Sequence, residues 1–303
     1  ATKGAEQFCY GVIDADNIKG RKFYEVQSFF KDIEQYAQIL DTPIHSDVAI
    51  VYDYDSLASF RIQRQSILLD CPNEMKKLYK TFYDENVSVD VIPSDADLSG
   101  YKIVLVPQMI ITKPEFRSKA EMFVEKGGTL VLTYRNAIKD VNNNIPFGQV
   151  IPVGYSTLTG IMVTETESLQ DLDAFPLVGQ GGFADSQGYG GIFRDMLKVQ
   201  DAEVLYRYGD PFYQEYAAVT RRKQGSGTVY YLGCGMDETI TARLMREIMT
   251  DNEIRTIPSD SGVEIVQRGS GTKRFQMYIN HNDHEAKAGD VVLKAFECKI
   301  EQI

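Results

Sequence analysis

No apolar run in the 303 residues approaches the ~18 that crossing a bilayer needs, and no basic-then-apolar stretch opens the chain as a secretory signal would. Positive charge is short as well. With 43 acidic against 32 basic residues, the net charge of -11 at pH 7 repels phosphate backbones, which argues against nucleic acid as a partner, as the missing apolar run argues against a membrane. The same balance suits a neutral ligand better than an anionic one. Cysteine is sparse: Cys9, Cys71, Cys234 and Cys298 include no C-x-x-C pair, so neither a zinc ribbon nor a dithiol redox site is written here. They read as reduced, mostly buried thiols of a cytoplasmic protein. Phosphate loops are missing too. Neither G-x-G-x-x-G nor G-x-x-x-x-G-K-S/T follows any strand-like segment, and no cofactor is expected.

What is present is ordinary globular material, 43% hydrophobic and 25% charged, long enough for more than one domain. Three stretches differ in pattern. Residues 1–46 hold an apolar run followed by Phe23, Val26, Phe30 and Ile33 at helical spacing, one strand and one amphipathic helix that cannot bury each other's faces alone. Residues 47–257 begin in clean alternation: strands at 48–52, 87–92, 103–106 and 129–133, and helices at 74–83 and 114–125. The second helix is opened by Pro114 and closed by Gly127-Gly128. Such alternation predicts an α/β fold with a doubly wound parallel sheet of the flavodoxin-like or class I glutamine amidotransferase-like kind. Beyond Asn136 the alternation loosens into short strands at 161–166, 203–208, 217–222 and 228–232, the last two joined as a hairpin by Gly225-Ser226-Gly227, before a closing helix at 239–249. Residues 258–303 read as a small antiparallel β domain.

Candidate chemistry is thin. Gly225–Gly227 lies between strands rather than before a helix, so it is a turn and not a phosphate loop. The run Gly179–Gly182, with Gly188, Gly190 and Gly191, lacks a strand–glycine–helix context and reads as a flexible surface segment rather than a binding loop. An amidotransferase-type nucleophile would sit on a sharp turn after the strand at 103–106, but that position reads Pro107-Gln108-Met109-Ile110. Cys234 follows a strand in Leu232-Gly233-Cys234-Gly235, far in sequence from His45, His281 and His284, and reads as a buried structural thiol. His281-Asn282-Asp283-His284 lies in a turn without further ligands, so no metal site is assigned. Tyr52-Asp53-Tyr54-Asp55-Ser56 is placed differently. It stands at the carboxyl end of the first strand of the α/β region, where such sheets bind ligands, although an Asp there also serves as a helix cap.

Taken together, several segments resemble glycoside hydrolase family 42, the β-galactosidases built from a catalytic barrel, a trimerisation domain and a small C-terminal β domain. Gly4-Ala5-Glu6-Gln7-Phe8-Cys9-Tyr10-Gly11-Val12-Ile13-Asp14-Ala15-Asp16-Asn17 looks like the eighth barrel strand and its exit. The trimerisation domain is echoed in Val48-Ala49-Ile50-Val51-Tyr52-Asp53-Tyr54-Asp55-Ser56, Asp97-Leu98-Ser99-Gly100-Tyr101-Lys102, Gly127-Gly128-Thr129-Leu130-Val131, Ala218-Val219-Thr220-Arg221 and Tyr230-Tyr231-Leu232-Gly233. The run from Gly262-Val263-Glu264 to Asn280-His281 looks like the C-terminal domain.

The resemblance implies that the chain is the C-terminal piece of a longer hydrolase. The two carboxylates of a retaining glycosidase would lie on barrel strands before the eighth, so no catalytic residue is assigned here. It also implies a homo-oligomer of three copies, and a galactoside substrate only in the full-length enzyme. Glu6 matches the family's sugar-contacting glutamate, with Cys9 standing where many members carry histidine. Tyr52, Asp53, Tyr54 and Asp55 would help wall a neighbour's active site. Two rival readings carry different chemistry: a stand-alone amidotransferase-like enzyme, which needs Cys234 as an activated thiolate, and a flavodoxin-like binding module.

Overall fold

The computed structural model describes residues 4–5, 11–171 and 173–303, which fall into two compact units. The smaller unit comprises residues 1–45, 267–277 and 299–303. Its helices are α1 (Arg21–Gln35) and α2 (Ala37–Leu40). Helix α1 buries none of its fifteen residues, and Phe29 and Phe30 lie exposed. The loop after α2 is pinned by backbone groups. Gly269 N donates to Pro43 O at 2.8 Å, and the Arg268 guanidinium donates to Thr42 O at 2.6 Å.

The larger unit, residues 46–266 and 278–298, is built on one mixed sheet. Strands β1 (Val48–Val51), β2 (Val89–Ile92), β3 (Ile103–Val106) and β4 (Thr129–Thr133) are joined through helices α3 (Tyr54–Ile62), α4 (Cys71–Asp84) and α5 (Pro114–Glu125). Their parallel register places Ile50 beside Val91 and Leu105. Because side chains alternate across a strand, Val48, Ile50, Ile103, Leu105 and Val131 share one core with Leu78 and Phe82 of α4. Ala49, Val51, Val104, Val106, Leu130 and Leu132 share the other with Phe116, Ala120 and Phe123 of α5. Strands buried on both faces must be apolar throughout, which is why these runs stood out in the sequence.

The expectation of a flavodoxin-like or amidotransferase-like doubly wound sheet fails beyond β4. There the chain forms α6 (Ser156–Thr159), β5 (Ile161–Ser168), β6 (Phe175–Gly179), β7 (Gln187–Val199), β8 (Glu203–Tyr208), β9 (Ala217–Gln224), β10 (Gly227–Leu232) and β11 (Cys234–Met236), closed by α7 (Glu238–Asp251). The sheet runs β11-β7-β6-β8-β9-β10-β4-β3-β1-β2, with β5 added on β7, eleven strands among the described residues. Only β10-β4-β3-β1-β2 pair in parallel, and every other pairing is antiparallel. The physical reason is the connections. A parallel pair needs a crossover of a dozen or more residues, usually a helix. Between α6 and α7 the described residues offer only a three-residue 3-10 turn, Gly181–Phe183, so the strands fold back on themselves. The result is a mixed, mostly sheet-based domain.

Strand β7 is the hub of that region, and it takes in Gly188, Gly190 and Gly191 of the glycines expected to form a flexible surface segment. Its glycines mark close approach instead. A β-carbon on Gly190 would overlap the Phe175 ring and meet Cys234 Sγ at 2.9 Å, and one on Gly188 would overlap Asp237. Two adjacent buried polar side chains splice β7 into the sheet. Asp195, fully buried, accepts from Thr166 Oγ1 (2.7 Å), Tyr231 Oη (3.1 Å) and Arg135 N (3.1 Å), and so links β5, β10 and the end of β4. Arg194 pairs with Glu167 and with Asp210 at 2.9 Å, and stacks on the rings of Phe175 and Tyr213.

The last strands form β12 (Val263–Ser270), β13 (Lys273–Asn280) and β16 (Cys298–Gln302), a three-stranded sheet, and the antiparallel pair β14 (Ala286–Ala288) and β15 (Val291–Leu293). Val263, Ile265, Tyr278 and Leu293 are among the residues of their own small core.

Candidate functional site

A concavity of the larger unit lies at the carboxyl end of β1, beside Tyr52, Asp53, Tyr54 and Asp55. Strand β1 ends and the chain turns through Tyr52 into Asp53, the N-cap of α3. Asp53 is buried, and its Oδ2 accepts from Ser56 N (3.0 Å) and Ser56 Oγ (2.7 Å). Ser94, just beyond β2, donates to Asp53 Oδ1 at 3.1 Å. From the start of α5 comes Lys113, whose Nζ lies 2.5 Å from Asp53 Oδ1, 2.8 Å from Asp55 Oδ2 and 3.2 Å from Ser94 Oγ. One ammonium thus ties two carboxylates and a hydroxyl at the ends of neighbouring strands. The cleft measures about 390 Å³, with Tyr52 and Tyr54 among its lining residues, their rings packed edge to face at 4.9 Å. Tyr54 is 73% exposed and free to meet a ligand.

The electrostatics favour binding over proton transfer. Burial pushes the Asp53 carboxyl up, but the Lys113 and Ser56 hydrogen bonds outweigh it and hold the group below the ordinary aspartate range. Burial also works against the Lys113 charge, and Asp53 and Asp55 reverse that effect and raise it. Both groups therefore stay ionised near neutral pH, so neither is poised to take or give a proton. Together the cleft offers carboxylate acceptors, ammonium donors and aromatic faces. Lys113 and Ser94 were not foreseen. The one signal for Lys113 was its place before Pro114 at a helix start facing the β1 turn.

The other sequence candidates come out differently. Glu6 and Cys9 lie outside the described residues. Cys234 is buried at 2% exposure, and burial, with Asp195 and Glu74 nearby, pushes its thiol far up, the opposite of an activated thiolate. Gln108, at the elbow position after β3, has a left-handed φ of 38°, but its buried amide only donates to Thr133 Oγ1 at 3.1 Å. These placements overturn the stand-alone amidotransferase reading, as the mixed sheet overturns the flavodoxin-like one. His281 pairs with Glu264 (2.9 Å) and His284 with Asp283 (3.0 Å) at the surface, and among the described residues no group of three or more His, Cys, Asp or Glu could hold a metal. Gly225 is a turn residue with φ of 56°, joining β9 to β10 as expected. Among the described residues no helix is long and apolar enough to cross a membrane.

A family profile described as "Beta-galactosidase trimerisation domain" matches residues 46–255. Among curated proteins, the beta-galactosidase BgaA of Clostridium cellulovorans is 28% identical over 307 residues, covering 98% of this chain and 44% of that protein. The beta-galactosidase Pbg of Clostridium perfringens is 30% identical over 295 residues, 93% of this chain and 42% of the relative. Among solved structures, a beta-galactosidase from Bacillus circulans sp. alkalophilus superposes with a TM-score of 0.92 at 27% identity, over 99% of this chain and 48% of that one. The chain thus spans less than half the length of the curated relatives it matches.

Proposed function

The chain belongs to the beta-galactosidase trimerisation domain family, and from that premise we propose that it serves as the assembly region of a β-galactosidase-like glycoside hydrolase, without catalysis of its own. The enzyme it serves would hydrolyse terminal β-galactosides. The observation that carries this reading is the extent of the family match, which runs over residues 46–255 and so takes in every strand of the mixed sheet. A domain whose Cys71 and Cys234 thiols are buried and whose cleft beside β1 holds a locked ion pair contributes through its surfaces.

Within that reading the chain divides at 1–46, 47–257 and 258–303 into the end of a barrel, the assembly domain and a small β domain. Glu6 would contact sugar in the whole enzyme. Tyr52, Asp53, Tyr54 and Asp55 would wall the substrate entrance of a neighbouring copy, with Tyr54 offering a ring face and Asp55 a hydrogen-bond acceptor. The assembled state would be a trimer, its substrate a galactoside, with neither nucleic acid nor membrane as a partner and a cytoplasmic location.

Native mass spectrometry tests the assembly: a three-chain species is expected, and single chains throughout would contradict it. The purified chain should leave nitrophenyl β-galactoside intact. Turnover that survives repurification and follows the protein peak would remove the claim that it is non-catalytic. In the full-length enzyme, Tyr54→Ala should raise KM with unchanged mass, and an unchanged KM would remove the wall.

A further inference from the structure

One surface of the larger unit stands apart in composition. After Lys139 the chain makes an eleven-residue excursion, Asp140 to Val150, before returning at Ile151-Pro152. In a chain that is 25% charged, positions 141–150 carry no charged side chain at all. Four apolar residues of that loop face solvent: Val141 at 63% exposure, Ile145 at 65%, Phe147 at 102% and Val150 at 45%. Phe147 therefore buries nothing in the isolated chain, the reverse of what an aromatic side chain gains from packing.

The loop is nevertheless held in shape. Its base is fixed where Lys139 O accepts from Thr112 N at 2.7 Å, and Val153 N donates to Ala137 O at 2.7 Å. The Asp140 carboxylate accepts from Asn142 N and Asn144 N, each at 2.9 Å, and closes the first turn. Beneath it the buried Lys139 ammonium has no carboxylate partner among the described residues. It donates to Ser59 Oγ and to Asn143 Oδ1, each at 3.0 Å, while Ser59 Oγ donates to Asn143 Oδ1 at 2.6 Å. That three-way junction clamps the loop onto α3. A preorganised apolar projection has most of its ordering cost met before anything binds.

We propose that the 140–150 loop is the anchor by which one copy of this chain docks on another, with Phe147 inserted into the neighbouring copy and Ile145 and Val150 closing around it. The proposal rests on the assembly reading above and names its contact. The match of residues 46–255 to a trimerisation domain selects a second copy as the occupant, and charge says where it can approach. Two copies each carrying -11 repel, and they can approach most closely where both present neutral surface. Interface cores are poor in charge and favour aromatic residues, and this loop presents Phe147 on an uncharged stretch. The loop is too small to supply the ~800 Å² per partner of a stable interface alone. It acts as the buried anchor within a wider contact, where a few residues carry most of the affinity.

Sedimentation velocity on the whole chain tests this with Phe147→Ser, Ile145→Asn and, as a remote control, Phe212→Ser, which removes another exposed ring (79%). The concentration of half-assembly should rise about tenfold or more for the two loop variants, as loss of an anchor residue does, and stay put for the control. All three should melt with the parent, because the replaced side chains are exposed. If one loop variant misfolds, the other carries the same expectation. Assembly of both loop variants at the parent's concentration would overturn the anchor while leaving the assembly reading intact. An equal loss in Phe212→Ser would also overturn it. A parent that stays single-chain at every concentration would overturn both.

Discussion

The two halves of the central sheet are stabilised differently. Strands β1, β3 and β4 are buried on both faces by helices and hold little but aliphatic side chains. The half around β7 keeps its strands together with glycines, aromatic rings and buried polar side chains such as Asp195 and Arg194. In the first half stability is distributed over interchangeable apolar contacts. In the second it depends on particular atoms meeting, so the two halves should fail in different ways.

The largest effect is expected in the parallel half. Leu105→Ala, at a fully buried position between β1 and β4, should cost about 2–5 kcal/mol in urea unfolding. A loss below ~1 kcal/mol would show that the core closes over the cavity. In the antiparallel half the opposite change should hurt: Gly190→Ala adds one methyl against Phe175 and Cys234, and should cost about 1–3 kcal/mol, since neither can retreat from a filled core. If it were neutral, close approach would not be what the glycine provides, and the contrast between the halves would weaken.

That contrast also explains what the sequence could and could not tell. Apolar runs such as Val48-Ala49-Ile50-Val51 are legible because a strand buried on both faces has no choice of residue type. The helix boundaries at Pro114 and Gly127 follow from backbone chemistry alone. Strand β7 was illegible because Gln187-Gly188-Tyr189-Gly190-Gly191 has neither period two nor β-branched residues, and its glycines answer to Phe175 and Asp237, which are distant in sequence. The parallel-sheet expectation extended a true local pattern past the point where helices stop supplying crossovers. At the cleft, Asp53 was visible as an acid ending a strand, but its partner Lys113 lies sixty residues on and is joined only by the fold.

The cleft gives a smaller, pH-dependent effect. Asp53 titrates below its unfolded value, so the stability it contributes is present above about pH 4 and is lost as pH falls through its lower folded value. Lys113 is raised, so its contribution persists at neutral pH and disappears only as pH climbs past its folded value, above the ordinary lysine range of about 10.4. Asp53→Asn should therefore lower stability by about 1–3 kcal/mol at pH 7 and flatten the acid limb of a melting-temperature profile. A mutant profile parallel to the parent's would mean the pair is idle. Smallest is the thiol response. Under native conditions at pH 8 a thiol-specific reagent should label Cys298, which is exposed, while Cys71, its thiol pushed up to about 12, and the buried Cys234 wait for denaturant.

Light scattering coupled to size exclusion, run over a concentration series, bears most directly on the claim that this chain works by assembly. Its 34.2 kDa chain should appear at three times that mass and shift toward single chains only on dilution. A constant mass of one chain up to the highest concentration would contradict the account.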